Sequence, residues 1–248
     1  MAGIPAAGMM MAHSGGAPFQ STIHELQKEQ EWVHVLLEKR IVSWKYLARV
    51  FQGGMVLYNT AMVSAQDMRH IWADEISQRR SIQFFLLGTS LATILEIPNS
   101  VDYIRALSQV LQEYDNYIAA EARSKSIFFK PAPRKAGVVA DIKAFEETGE
   151  YSHLEVKDIP FNLDFVVTAA TLSDMITLVY EKMLRLLQHD EVWSLISIET
   201  FQKVDLRFKK MLTRAYKDIE SVARDVMLEE LKAVDPLALL LHDYDWDI

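Results

Sequence analysis

Five basic side chains, Lys203, Arg207, Lys210, Arg214 and Lys217, are spaced 4, 3, 4 and 3 residues apart. At 3.6 residues per helical turn, that spacing puts all five on one face for four turns. Lys209 and Arg224 flank the row. The chain holds 26 Lys and Arg against 34 Asp and Glu, a net charge of −8, so the row is a local reversal of sign. Such a face attracts an acidic protein surface, an anionic lipid headgroup or a phosphate backbone. Nucleic acid is the weakest of the three, because the overall balance is acidic and no stacking aromatics interleave with the row. A solvated helix face beside acidic neighbours accounts for the same spacing.

A second group with recognition chemistry lies at 236–248. Asp243, Asp245 and Asp247 alternate with Tyr244 and Trp246, after the apolar Leu239, Leu240 and Leu241. Aromatic side chains of this kind anchor in a partner's pocket, and the same tail can dock on its own bundle. The three aspartates lack the glycine and the distal glutamate of an EF-hand calcium loop. The candidate partner-binding residues are therefore Lys203, Arg207, Lys210, Arg214, Lys217, Tyr244 and Trp246.

Catalytic patterns are thin. No Gly-rich phosphate loop, GxGxxG or HExxH is present. Gly88-Thr89-Ser90-Leu91-Ala92 comes nearest to a nucleophile elbow. It lacks the second glycine and falls inside a helical pattern instead of a strand-to-helix turn. Glu31 and His34 form one Glu-x-x-His pair, where a carboxylate-bridged metal site in a bundle needs two. With no cysteine, a thiol nucleophile, a disulfide and a Cys-zinc site are excluded. No catalytic, cofactor-binding or metal-ligating residue is expected.

The elements that must position these groups read as helices. Leu37, Trp44, Phe51 and Tyr58 lie seven apart, and Ile41, Ala48, Met55 and Met62 form a second row four residues later. This is a heptad seam. It predicts one long helix over 22–63, opened by a Thr22/Glu25 capping box and continuous through Gly53 and Gly54. Ser64 and Asp67 cap a second helix over 65–97, whose Ser81–Ile97 half is apolar all round and so reads as central. Pro98 ends it, and Asn99 or Ser100 caps a third helix over 101–123. Residues 124–160 read as a flexible linker with a short helix at 138–148. A helix follows over 161–187, then a short apolar piece at 192–198. The last helix runs from near Thr200 to Val234, with Phe201, Phe208, Ala215 and Val222 seven apart.

These patterns predict an all-α fold, an elongated bundle of about six helices with long heptad-patterned first and last helices. Its expected parts are a disordered tail (1–21), an N-terminal helical half (22–123), a linker (124–160), a C-terminal helical half (161–235) and an acidic-aromatic tail (236–248). The expected function is that of a non-enzymatic adaptor or structural subunit of a larger protein assembly. The alternative is a peripheral membrane-surface or cytoskeleton-binding protein acting through the basic face. Other proteins are the expected partners, and a homo-oligomer is compatible with the seams. A cytoplasmic setting is expected, with the nucleus also compatible.

Overall fold

The computed structural model describes residues 17–57, 61–124, 151–189 and 195–234. The proposed helix at 138–148, Tyr244, Trp246 and most of the N-terminal tail lie outside the described residues. The elements in chain order are α1 (Ala17–Gln52), β1 (Met55–Leu57), β2 (Ala61–Val63), α2 (Ala65–Ile71), α3 (Glu75–Ile94), α4 (Ser100–Ser124), α5 (Phe165–His189) and α6 (Leu195–Val234). The fold is an all-α bundle with one small antiparallel hairpin.

The inner positions of α1, namely Leu37, Ile41, Trp44, Ala48 and Phe51, are all buried. Burying a side chain of this size contributes roughly 1.5–3 kcal/mol, so this stripe fixes which face of α1 turns inward. Its most extensive partner is α5, and the two run antiparallel. Lys45 pairs with Glu181 at 2.7 Å, while Phe51 meets Phe165 edge-on at 6.3 Å. The α6 helix packs on the other flank in the same direction as α1, through Arg40 with Asp205 and Trp44 with Phe208. The seams of α1 and α6 therefore do meet, although α5 covers more of α1.

The first helix differs from its predicted span at both ends. It begins at Ala17, so Thr22 and Glu25 lie inside α1 and not at its start, and residues 17–21 are helical instead of part of a disordered tail. It stops at Gln52, because Gly53 and Gly54 take φ of +83° and +78°. A helix cannot pass through two successive left-handed residues. A Cβ on Gly53 would lie 2.5 Å from the Ala65 nitrogen, so only glycine fits where the chain doubles back. Met55 and Met62 sit in strands, paired Met55 with Val63 and Val56 with Met62. Leu57, Ala61 and Val63 are buried while Val56 and Met62 are exposed, a two-residue alternation. Their seven-residue spacing only coincided with the helical rows.

The predicted second helix is two. The Ser64/Asp67 capping box starts α2 as expected. Trp72 then closes α2, and Asp74 caps α3 by accepting from the Ser77 N–H at 2.9 Å. The break lets Trp72 join Phe51, Phe165 and Phe84 in an aromatic cluster. Asn99 caps α4. Asp164 caps α5 through the Val166 and Val167 N–H groups. The final helix starts at Leu195, so Ser197 and Ile198 of the supposed separate piece are buried within α6.

Residues 151–155 are not a loose linker. The buried Glu113 carboxylate on α4 accepts the N–H groups of Ser152, His153 and Leu154 at 3.1, 2.8 and 2.8 Å. Ser90 on α3 accepts from the Glu155 N–H. Leu154 is buried beneath this clamp.

Candidate functional site

The most heavily buried ion pair among the described residues joins two helices, and a tyrosine ties in a third. Arg40 of α1 donates from Nε and Nη2 to the two carboxylate oxygens of Asp205 on α6. The Tyr180 hydroxyl of α5 donates to the same Asp205 at 2.9 Å. The hydrogen bond to Asp205 holds the Arg40 guanidinium above its ordinary pKa. Burial, then the Asp205 charge, pushes the Tyr180 phenol well up. Each group is satisfied by the others. The cluster locks helices together and leaves no free base or acid for chemistry.

Arg80 has a similar role. It pairs with Asp218 of α6 at 2.5 Å and lies 4.9 Å from the Phe165 ring centroid and 5.7 Å from that of Phe84. In the structure it bridges α3, α5 and α6. No group of three or more His, Asp or Glu among the described residues could hold a metal ion. His34 faces Glu38 at 3.9 Å on the exposed side of α1.

Among the described residues an apolar groove lies between α3 and α5. Phe84, Phe85, Gly88 and Ala92 form one wall, and Leu163, Val167, Leu172 and Met175 the other, around ≈ 370 Å³. The helices run parallel here, since Phe84 meets Phe165 and Lys182 donates to the Leu95 and Ile97 carbonyls. Three threonines also line the groove, but their hydroxyls turn back onto their own helices. Thr89 bonds the Leu86 carbonyl, Thr168 that of Asp164 and Thr171 that of Val167. Their methyl groups are left to the groove. No ionisable side chain lines it. Thus α3, expected to be a central helix because it is apolar all round, is covered on only part of its surface. Its Phe85–Ala92 side is half-open.

The basic row is only partly as predicted. Lys203, Lys210, Arg214 and Lys217 are exposed along α6. Arg207 instead turns toward α4, pairing with Asp115 at 3.2 Å and donating to the Ser108 carbonyl. Burial raises the Asp115 pKa, and Arg207 and Lys210 oppose that rise. Lys209 takes Arg207's place in a shallow basin formed with Leu206, Lys210, Thr213, Arg214 and Lys217. The 4-3-4-3 spacing could not assign the edge of the face, which depends on where α4 lies.

An acidic cleft of ≈ 670 Å³ lies between α2 and the end of α6, with Asp67, Asp225, Glu229 and Glu230 beside His70. Ser64 holds the Asp67 carboxyl below its usual range as part of the helix cap, so that group is already engaged. No helix among the described residues is long and apolar enough to cross a membrane. No protein-family model matches the chain, and no characterised protein or solved structure matches it.

Proposed function

We propose that this chain is a non-enzymatic interaction subunit of a larger protein assembly, and that the α3–α5 groove receives an apolar helix of a partner protein. The observation that carries the reading is the groove itself. It is a trough between two parallel helices, lined without a single ionisable group, which suits an amphipathic helix laid apolar face down. It does not suit a polar substrate, which needs convergent polar groups to orient it. Gly88 supports the same occupant. A glycine in a helix interior costs about 1 kcal/mol relative to alanine. A Cβ there would meet only Leu172 Cδ1, at an ordinary 3.8 Å, so internal packing does not demand glycine. Close approach of a partner backbone does. A chain without cysteine needs no oxidising compartment, which fits a cytoplasmic or nuclear setting.

The test compares partners recovered from the native cell by wild type, by Ala92→Arg/Val167→Glu and by Lys210→Glu/Arg214→Glu. A partner lost only with the groove variant, at unchanged thermal stability, supports the reading. A partner that the groove variant retains removes it. A second reading, binding to an anionic membrane or cytoskeletal surface, is favoured by Lys203, Lys210, Arg214 and Lys217, exposed cations of α6 that make no ion pair with a carboxylate among the described residues. Loss of binding to anionic vesicles in the α6 variant alone would favour that one.

A further inference from the structure

The inward stripe of α1 has a counterpart on the opposite side of the same helix. Lys28, Val35, Val42 and Arg49 lie seven apart, and Trp32, Lys39 and Tyr46 form a neighbouring row. All seven are exposed, Val35 at 64%, Val42 at 67% and Trp32 at 50%. The outer face of a surface helix ordinarily carries charged and polar side chains. Packing within the bundle therefore accounts for the inward stripe and not for this one. The two valines stand two turns apart, about 10 Å along the helix.

The charges around the valines indicate what fits on them. Successive residues point about 100° apart around a helix, so Glu38 and Lys39, midway between the valines, flank the row on opposite sides. Both are exposed. Glu38 faces His34 at 3.9 Å, and Lys39 makes no ion pair among the described residues. Laid beside a second copy running in the same direction, the row sets valine on valine. A two-fold axis parallel to the helices then brings each Glu38 against the partner's Lys39, twice over. Running antiparallel, the same faces would set Glu38 against Glu38 and Lys39 against Lys39. We propose that the outward face of α1 pairs with the same face of a second copy, in parallel, through Val35, Val42 and the two reciprocal Glu38–Lys39 contacts.

Trp32 and Tyr46 extend the contact at its two ends, on the Lys39 side. Tyr46 is braced there by stacking on Tyr216 of α6, with ring centroids 6.3 Å apart. Beyond them Lys28 and Arg49 would each face their own copy, and like charges in that position repel. The contact is thereby confined to residues 32–46, about 21 Å of helix. One helix face of that length buries less than the roughly 1,200 Å² of a standard interface, so the dimer is a reversible one, governed by concentration. This goes beyond the groove reading and is independent of it, since α3 and α5 take no part in the contact.

Sedimentation velocity of the full chain, over a wide range of concentration, should show a monomer–dimer equilibrium. Glu38→Lys or Lys39→Glu alone puts like charges at both contacts and should weaken association at least about tenfold. Thermal unfolding should be unchanged, because both side chains are exposed. The double variant Glu38→Lys/Lys39→Glu restores opposite charges at both contacts and should recover the dimer. The absence of native cysteine lets the orientation be read directly. Under mild oxidation Val35→Cys and Val42→Cys should each form a disulfide-linked dimer with itself, whereas an antiparallel pair would link only one variant to the other. A monomer at every concentration, single reversals without effect, no recovery in the double variant, or links formed only between the two different cysteine variants would each overturn the proposal. The first of these would leave the face to a different protein.

Discussion

The Arg40 guanidinium grips the Asp205 carboxylate through two parallel hydrogen bonds of 2.7 and 2.8 Å, across 165 residues of chain. The fork fixes how far α6 can slide along α1, because a planar donor pair matches a carboxylate in only one register. Removing one partner leaves a buried charge alone. Arg40→Met or Asp205→Leu should each cost about 3–5 kcal/mol, while the double variant should recover most of that loss. Urea unfolding of the four proteins measures it, and simple additivity would show that the pair is not coupled. Tyr180→Phe keeps the fork and removes one donor to Asp205, so its cost should be only about 1–2 kcal/mol.

Glu113 gathers three successive backbone N–H groups from a segment about 40 residues later. Glu113→Ala leaves those donors, Leu154's own N–H among them, without their acceptor. The expected cost is about 3 kcal/mol, with amide exchange at residues 152–154 accelerating more than exchange in α4. Uniform acceleration across the chain would mean that Glu113 supports the whole bundle and not this clamp.

Gly88→Ala separates folding from binding. The fold should gain up to about 1 kcal/mol, since alanine is the better helix former and its Cβ has room. Partner binding in the groove should weaken at the same time. A destabilised variant would show that glycine is required by the interior of the bundle.

Stability should fall at both ends of the pH scale. In acid, three helix caps act. Ser64 and Ser77 hold Asp67 and Asp74 low by hydrogen bonding. Burial pushes Asp164 up, but Arg69 and the Val167 and Val166 N–H groups outweigh it and leave the carboxyl lowered. A lowered folded value means that the contribution is complete above the unfolded aspartate pKa of about 4. It is lost as pH falls through the folded value. In alkali the sign reverses. Burial raises Tyr180, and raises Tyr117 to about 12 with Glu121 adding to it. These phenols hold their protons in the fold when the unfolded chain has begun to release them near pH 10. Their contribution is complete below that pH and is lost above it. The urea midpoint against pH checks both arms, and a flat midpoint from about pH 9 to about pH 11.5 would contradict the second.

The sequence by itself determined the all-α class, the buried stripes of α1 and α6, the Ser64/Asp67 cap and the position of α4. Each follows from local periodicity or from a cap that bonds within four residues, so nearby residues are sufficient to specify it. Tertiary structure decided what depends on distant atoms. The Gly53-Gly54 reversal is set by the Ala65 backbone meeting Gly53, which no helical repeat records. Arg207 left the basic row because Asp115 and the Ser108 carbonyl happen to lie beside it. Arg80, Glu113 and Asp205 looked like ordinary charged residues until their partners on other helices were in place. The groove was the least legible feature of all: an apolar helix predicts burial, and only the packed bundle shows which of its sides the described residues leave uncovered.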